Sequence, residues 1–252
     1  VHERVHPKDD IEIINTELIL ADLQTLEKAL PKLQKETKAD PKLKVGLDLL
    51  NQIQELLKAG NLNAIFQLTK DLDTSSEAGM TLRSLQLLTM KPVIYVFNVD
   101  EEDLVNNKKQ QELRQLVAPA VPLFVNAQLE AELKDMSESE AKEMLESYGQ
   151  KESGLTQIIH AAYQTLGLQS YLTAGEKEVR AWTIPKGSTA PQAAGVIHGD
   201  FERGFIAADV VSYTDLLTSG SLPSARQAGK VRTEGKTYVM HEDDVVEFKF
   251  SV

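Results

Sequence analysis

KPVIYVFNVDE, residues 91–101, sets the frame for reading the whole 252-residue chain. Pro92 stands where a ladder has not yet begun and no backbone donor is needed. Val93, Ile94, Tyr95, Val96 and Phe97 then form a β-branched and aromatic run. Asn98 ends the run, and Glu101 follows three residues later. A short apolar run bounded by a turn signal predicts a strand buried on both faces, as in a parallel sheet. Ligands of such sheets bind at the carboxyl ends of the strands, which makes Asn98 and Glu101 candidates from position alone. A second run, 118–125, predicts another short strand ending in Asn126, Ala127 and Gln128.

Before this frame lie two amphipathic helices. From Asp9, apolar residues recur at three-to-four spacing through Leu33, with Pro31 expected to kink or end the helix. Leu43, Leu47, Leu50, Ile53, Leu56 and Leu57 line a second helix that stops at Gly60. The pair reads as an antiparallel hairpin, either a scaffold or an arm that touches a partner. Residues 61–79 read as mixed, with a loop and a helix start, and 80–90 as a short helix. After Glu101 a polar segment with helical spacing leads to the second strand. Helices are predicted over 137–148, with a capping box at Ser137 and Glu140, and over 154–166. Strand, helix, strand, helix at this spacing is an α/β unit.

From Leu168 the character changes. YLTAG, EVRAWTI, GFIAADVVSY, KTYVM and DVVEFKF read as five strands, with one main helix over 189–198 and a short helical piece at 215–217. This predicts a small α+β module beginning near Gly167. The expected organisation is 1–90, an entry loop with the helical insertion; 91–166, an α/β segment; and 167–252, the α+β module.

Composition narrows the function classes. Net charge of -11 argues against binding polyanions through the whole surface, though a local basic patch is compatible with it. The absence of cysteine excludes a disulfide framework and Cys-ligated zinc, and fits a reducing compartment. No apolar run approaches the roughly 18 residues of a membrane span. The start at Val1 reads as the beginning of a fragment. No phosphate loop of the GxxxxGK[ST] kind, GxSxG or HExxH is present, and GDFERG at 199–204 is not a GxGxxG. His2 and His6 lie four apart beside Pro7 and are not expected to bind metal; His160 and His198 are expected to be structural. No catalytic residue and no metal ligand is assigned.

Three blocks carry a resemblance: DIEIINTELILADLQTLEK (10–28), KPVIYVFNVDEEDL (91–104) with the run from Phe124 to Ala127, and AWTIPKGSTAPQAAGVIHGDFERGFIAADVVSY (181–213). They resemble the YchF/Obg-like ATPase family, a branch of the translation-factor-related P-loop nucleotide hydrolases. The resemblance implies that 91–166 is the later half of a P-loop nucleotide-binding domain. It further implies that 10–90 is the family's helical, coiled-coil-like insertion and that 167–252 is a TGS domain with a β-grasp fold. The family's phosphate loop and switch regions would lie upstream of the first block. ATP hydrolysis, with Mg²⁺, is therefore implied for the intact protein and not for these residues alone. The implied ligand is ATP, with GTP weaker, and the implied partner is a ribosome in the cytoplasm.

In related GTPases an NKxD motif reads guanine; here Asn98, Val99, Asp100 and Glu101 make an NxxE motif, which the family associates with ATP. Asn98, Val99 and Glu101 are the implied base contacts, joined by Asn126 and Ala127 in place of the family's second base loop, usually Ser/Cys-Ala. An Asn closing a strand is also a common turn former. Arg226, Lys230, Arg232 and Lys236 form the densest basic cluster of the last segment. They read either as contacts to rRNA phosphates or as a solvated basic strand edge. The alternative to an ATPase is a non-enzymatic ribosome- or RNA-binding module.

Overall fold

The computed structural model describes residues 5–118, 120–175 and 178–251. His2 lies outside them, as does Pro119 within the second expected strand. In chain order the elements begin with α1 (Pro7–Ala39), α2 (Lys44–Lys58), α3 (Leu62–Thr69), α4 (Glu77–Ser84), β1 (Val96–Asn98), α5 (Glu101–Val105) and α6 (Asn107–Val117). Then come β2 (Leu123–Val125), α7 (Ala127–Leu133), α8 (Glu138–Ser147), α9 (Gly154–Leu166), β3 (Leu168–Ala174) and β4 (Val179–Pro185). The last are α10 (Ala190–Ile197), α11 (Gly199–Arg203), β5 (Phe205–Ser212), α12 (Tyr213–Ser219), α13 (Leu222–Gln227), β6 (Arg232–Glu234) and β7 (Asp244–Phe250). These fold as two compact units. One runs to Val93 and includes Lys108–Ala120; the other comprises Ile94–Asn107 and the chain from Val121 onward.

The first unit is helical. Leu26, Leu30 and Leu33 of α1 meet Leu50, Ile53 and Leu57 of α2 in a core completed by Ile65, Leu82 and Leu87. The spacing places each triplet on one helix face, and burying each leucine contributes roughly 2 kcal/mol. That packing explains why α1 runs unbroken through Pro31. The proline costs about 3 kcal/mol in a helix interior, but Leu30 and Leu33 are buried on either side of it. Helix α3, read as mixed chain, is started by Asn61, whose side chain accepts from Ala64 N at 3.0 Å. Asp22, 1% exposed, accepts hydrogen bonds from the backbone N–H groups of Leu88 (2.8 Å) and Thr89 (2.7 Å) and from the Thr89 hydroxyl (2.7 Å). A helical turn at Leu88–Met90 is thereby held shortly before the chain reaches β1.

In the second unit β1 and β2 pair in parallel, with Val96 opposite Leu123, Phe97 opposite Phe124 and Asn98 opposite Val125. The strand expected over most of 91–97 is thus only Val96–Asn98, and none of its residues is buried. Burial on both faces needs flanking strands and covering helices, and among the described residues this sheet has two strands. The Phe97 and Phe124 rings stack at 5.8 Å.

The other sheet has the order β4-β3-β7-β5-β6, with β3 and β7 parallel and the other neighbours antiparallel. Its core gathers Tyr171, Ile184, Ala208, Val210 and Val246 under Ala190, Ala193 and Ala194 of α10. The small alanine side chains let the helix lie close, and the Tyr171 hydroxyl donates to Ala193 O at 2.9 Å. Burial pushes the Tyr171 phenol well above its usual range. KTYVM, read as a strand, makes a single bridge from Val239 to Thr189. Its backbone is spent on the lead-in to α10, through Ala190 N to Tyr238 O (2.8 Å) and Met240 N to Ser188 O (3.0 Å). The fifth strand is β6 instead.

Candidate functional site

The parallel register of β1 and β2 brings their carboxyl ends side by side. Val99 N extends the ladder to Val125 O at 2.9 Å. Past that point side chains take over. Asn98 Oδ1 accepts from Ala127 N at 3.1 Å, and Asn126 Nδ2 donates to Val99 O at 2.7 Å. Each asparagine thus reaches across to the backbone of the other loop. Asn126 also caps α7, its Oδ1 accepting from Leu129 N at 2.7 Å. Both polar ends of this side chain are used within the protein, and it is 8% exposed. Its place in the structure is that of a tie between loops. Asn98 is exposed, and its Nδ2 has no hydrogen-bond partner among the described residues.

Glu101 opens α5. Its Oε2 accepts from the Tyr148 hydroxyl at 2.7 Å, and Oε1 has no partner among the described residues. Tyr148 directly follows α8. The hydrogen bond to Glu101 holds its phenol above the usual range, helped by partial desolvation and the charges of Glu101 and Glu132. Behind the corner, Glu130 of α7 accepts from Gly154 N (2.6 Å) and Leu155 N (3.1 Å), placing a carboxylate on the N-terminus of α9. Gly154 packs so closely that an added Cβ would lie 2.7 Å from Val125 Cγ1. The sequence therefore named the five residues that meet here, Asn98, Val99, Glu101, Asn126 and Ala127. It missed Tyr148 and Glu130. Both are bound to partners more than 20 residues away, and the only local signal was a carboxylate and a helix cap at the expected places.

The basic cluster is largely engaged. Arg226 pairs with Asp209 (2.9 Å) and Glu247 (3.6 Å), Lys230 with Asp215 (3.3 Å) and Arg232 with Glu234 (3.2 Å). Lys236 has no ion-pair partner among the described residues. Asp209, 6% exposed, also takes Lys249 (2.6 Å) and Thr233 (2.7 Å). Burial alone would raise the Asp209 carboxyl. The Lys249 and Thr233 hydrogen bonds and the charges of Lys249 and Arg226 outweigh it and hold the group below the usual carboxylate range. His160 lies 3.2 Å from Glu152, and His198 caps α11 by accepting from Asp200 N. Among the described residues no group of three or more His, Cys, Asp or Glu side chains is placed to hold a metal ion. No helix among them is long and apolar enough to cross a membrane.

Residues 168–251 match the YchF-GTPase_C family, described as a protein of unknown function (DUF933). The ribosome-binding ATPase YchF of Escherichia coli O157:H7 is 44% identical over 256 residues, spanning all of this chain and 69% of the relative. That of Bacillus subtilis (strain 168) is 42% identical over 258 residues, again all of this chain and 69% of the relative. The solved Schizosaccharomyces pombe YchF GTPase aligns with 34% identity and a TM-score of 0.72, over 99% of this chain and 68% of its own. Identity at this level along the full length of the sequence, on a shared mixed α/β fold, shows that the chain belongs to the YchF family.

Proposed function

We propose that the protein is a ribosome-associated nucleotide-binding ATPase in which the corner at the ends of β1 and β2 reads the base of ATP. The observation that carries this reading is the reciprocal tie: Asn98 to Ala127 and Asn126 to Val99. It fixes two loops at the carboxyl end of a parallel pair, where α/β folds place their ligands. Relatives that carry the name ribosome-binding ATPase supply the activity class and the partner. Val99 stands where a GTPase has its ring-packing lysine and offers an apolar contact to the base instead. Asn126 serves this site by holding Val99, and Ala127 by receiving Asn98.

In this reading residues 1–90 are a helical insertion with an antiparallel hairpin, 91–166 the later half of the nucleotide-binding domain, and 167–252 a TGS-like β-grasp module. ATP is preferred to GTP. Mg²⁺ and the phosphates are held, in this reading, by the family's phosphate loop and switch regions, which would lie upstream of residues 10–28. The setting is cytoplasmic. Contact with rRNA through Arg226, Lys230 or Arg232 would have to displace carboxylates already paired to them, so Lys236 is the cation of the four best placed to meet a phosphate.

Calorimetric titration of the intact protein with ATP and GTP tests the reading. ATP is expected to bind more tightly, and Asn98→Ala to weaken it by about tenfold, the worth of one good hydrogen bond plus the lost loop tie. Failure of the intact protein to bind either nucleotide overturns the proposal.

A further inference from the structure

We infer that Tyr148 sets the nucleotide preference of the base corner by occupying one of the two acceptor oxygens of Glu101. The inference rests on the base-site reading given above and adds to it a residue that lies 47 positions from the motif. A phenol has one proton to give, and Tyr148 gives it to Glu101 Oε2 at 2.7 Å. The geometry holds the ring in place: Tyr148 N and Gln150 N both bond to Leu145 O, and Gly149 turns the chain with φ +65°. Helix α8 itself has no buried residue, so its end is fixed by these backbone bonds and by the Glu101 contact.

What remains on the two motif side chains decides the outcome. Among the described residues Asn98 Nδ2 and Glu101 Oε1 have no partner, whereas Asn98 Oδ1 accepts from Ala127 N and Glu101 Oε2 from Tyr148. One donor and one acceptor complement an adenine edge, which presents an amino donor beside a ring-nitrogen acceptor. Guanine's N1–H and 2-amino group are two donors side by side and call for both oxygens of a carboxylate. Each carboxylate oxygen has two lone pairs, so Glu101 could meet both only by sharing Oε2 between guanine and the phenol, which weakens the second contact and holds the carboxylate to the direction that Tyr148 sets. A phenol is protonated around neutrality, and the hydrogen bond to the carboxylate shifts it further in the same direction, so the proton stays available to Oε2. Tyr148 is a specificity-determining residue that acts through Glu101.

The test compares ATP and GTP dissociation constants for the intact wild-type protein and its Tyr148→Phe variant by competition against a fluorescent nucleotide. Phenylalanine keeps the ring and releases Oε2. The ratio of GTP to ATP affinity should rise about tenfold, the value of one hydrogen bond to a charged group. Tyr148→Leu should move the ratio the same way. Adding Glu101→Gln to Tyr148→Phe should abolish the gain, because an amide offers a single acceptor oxygen. A tyrosine that merely supports the loop would weaken both nucleotides together and leave the ratio fixed. An unchanged ratio in folded variants that bind ATP overturns the assignment of Tyr148 alone. Failure of the wild-type protein to bind either nucleotide overturns the base-site reading as well.

Discussion

Strands β1 and β2 share three register pairs and leave Val96 45% exposed, whereas Tyr171, Ala208 and Val210 of the five-stranded sheet are fully buried beneath α10. The larger sheet owes its stability to apolar packing, which is distributed over many residues. The smaller pair packs less: Phe124 and Val125 of β2 are buried, and no residue of β1 is. Its strand ends are positioned by Asn98 and Asn126, whose side chains reach backbone groups in the facing loop, while Glu130 behind them holds the start of α9. A region built in this way can present polar groups to a ligand at fixed positions, at the expense of depending on individual hydrogen bonds.

The sharpest way to break the contrast is Tyr171→Ala. Removing a fully buried aromatic should cost about 4 kcal/mol and lower the melting temperature of the unit that holds the five-stranded sheet by roughly 10 °C or more. A loss below about 1 kcal/mol would mean that packing there is not dominant. Next comes Asn126→Ala, expected to cost about 2 kcal/mol because it strips one half-buried carbonyl and one helix N–H of their partners. The loss should appear as faster hydrogen exchange at residues 98–101 and 126–129, with the exchange of β3, β5 and β7 unaltered.

Asp209→Asn is expected to be the mildest, about 1.5 kcal/mol at neutral pH. The Asp209 carboxyl has a folded-state pKa below its unfolded value, so its contribution is present above the unfolded value and fades as pH falls through the folded one. Wild type and variant should therefore converge in urea midpoint as the solution is acidified below the ordinary carboxylate range. A gap that persists there would assign the effect to packing rather than charge.

The elements with local signals were the ones legible in the sequence. Helix α9 was read at its observed bounds, 154–166, from its apolar spacing, and the structure shows Ser153 capping one end and Gly167, in the left-handed region, closing the other. The capping box of α8 was likewise visible. Errors arose where tertiary partners override local pattern. The apolar run before Asn98 looked like a fully buried strand because composition records the preference for burial and not the number of neighbouring strands. Pro31 looked like a stop because the sequence does not show that Leu30 and Leu33 are clamped by α2. KTYVM alternates like a strand, yet its backbone serves the loop before α10. At the site, strand ends and turn residues named Asn98, Glu101 and Asn126. The pairing of Glu101 with Tyr148 depends on how α8 returns to the corner, which no local pattern encodes.

The buried carboxylate of Asp22 has a consequence for the order in which the molecule assembles. It joins residues 66 and 67 positions apart, so the turn that leads into β1 is completed only after most of the helical unit has closed on itself. The conformation of Leu88 and Thr89 is thus governed by a residue made long before them. Any event that melts the middle of α1 also releases Leu88 and Thr89, making helix and turn a single cooperative unit of unfolding.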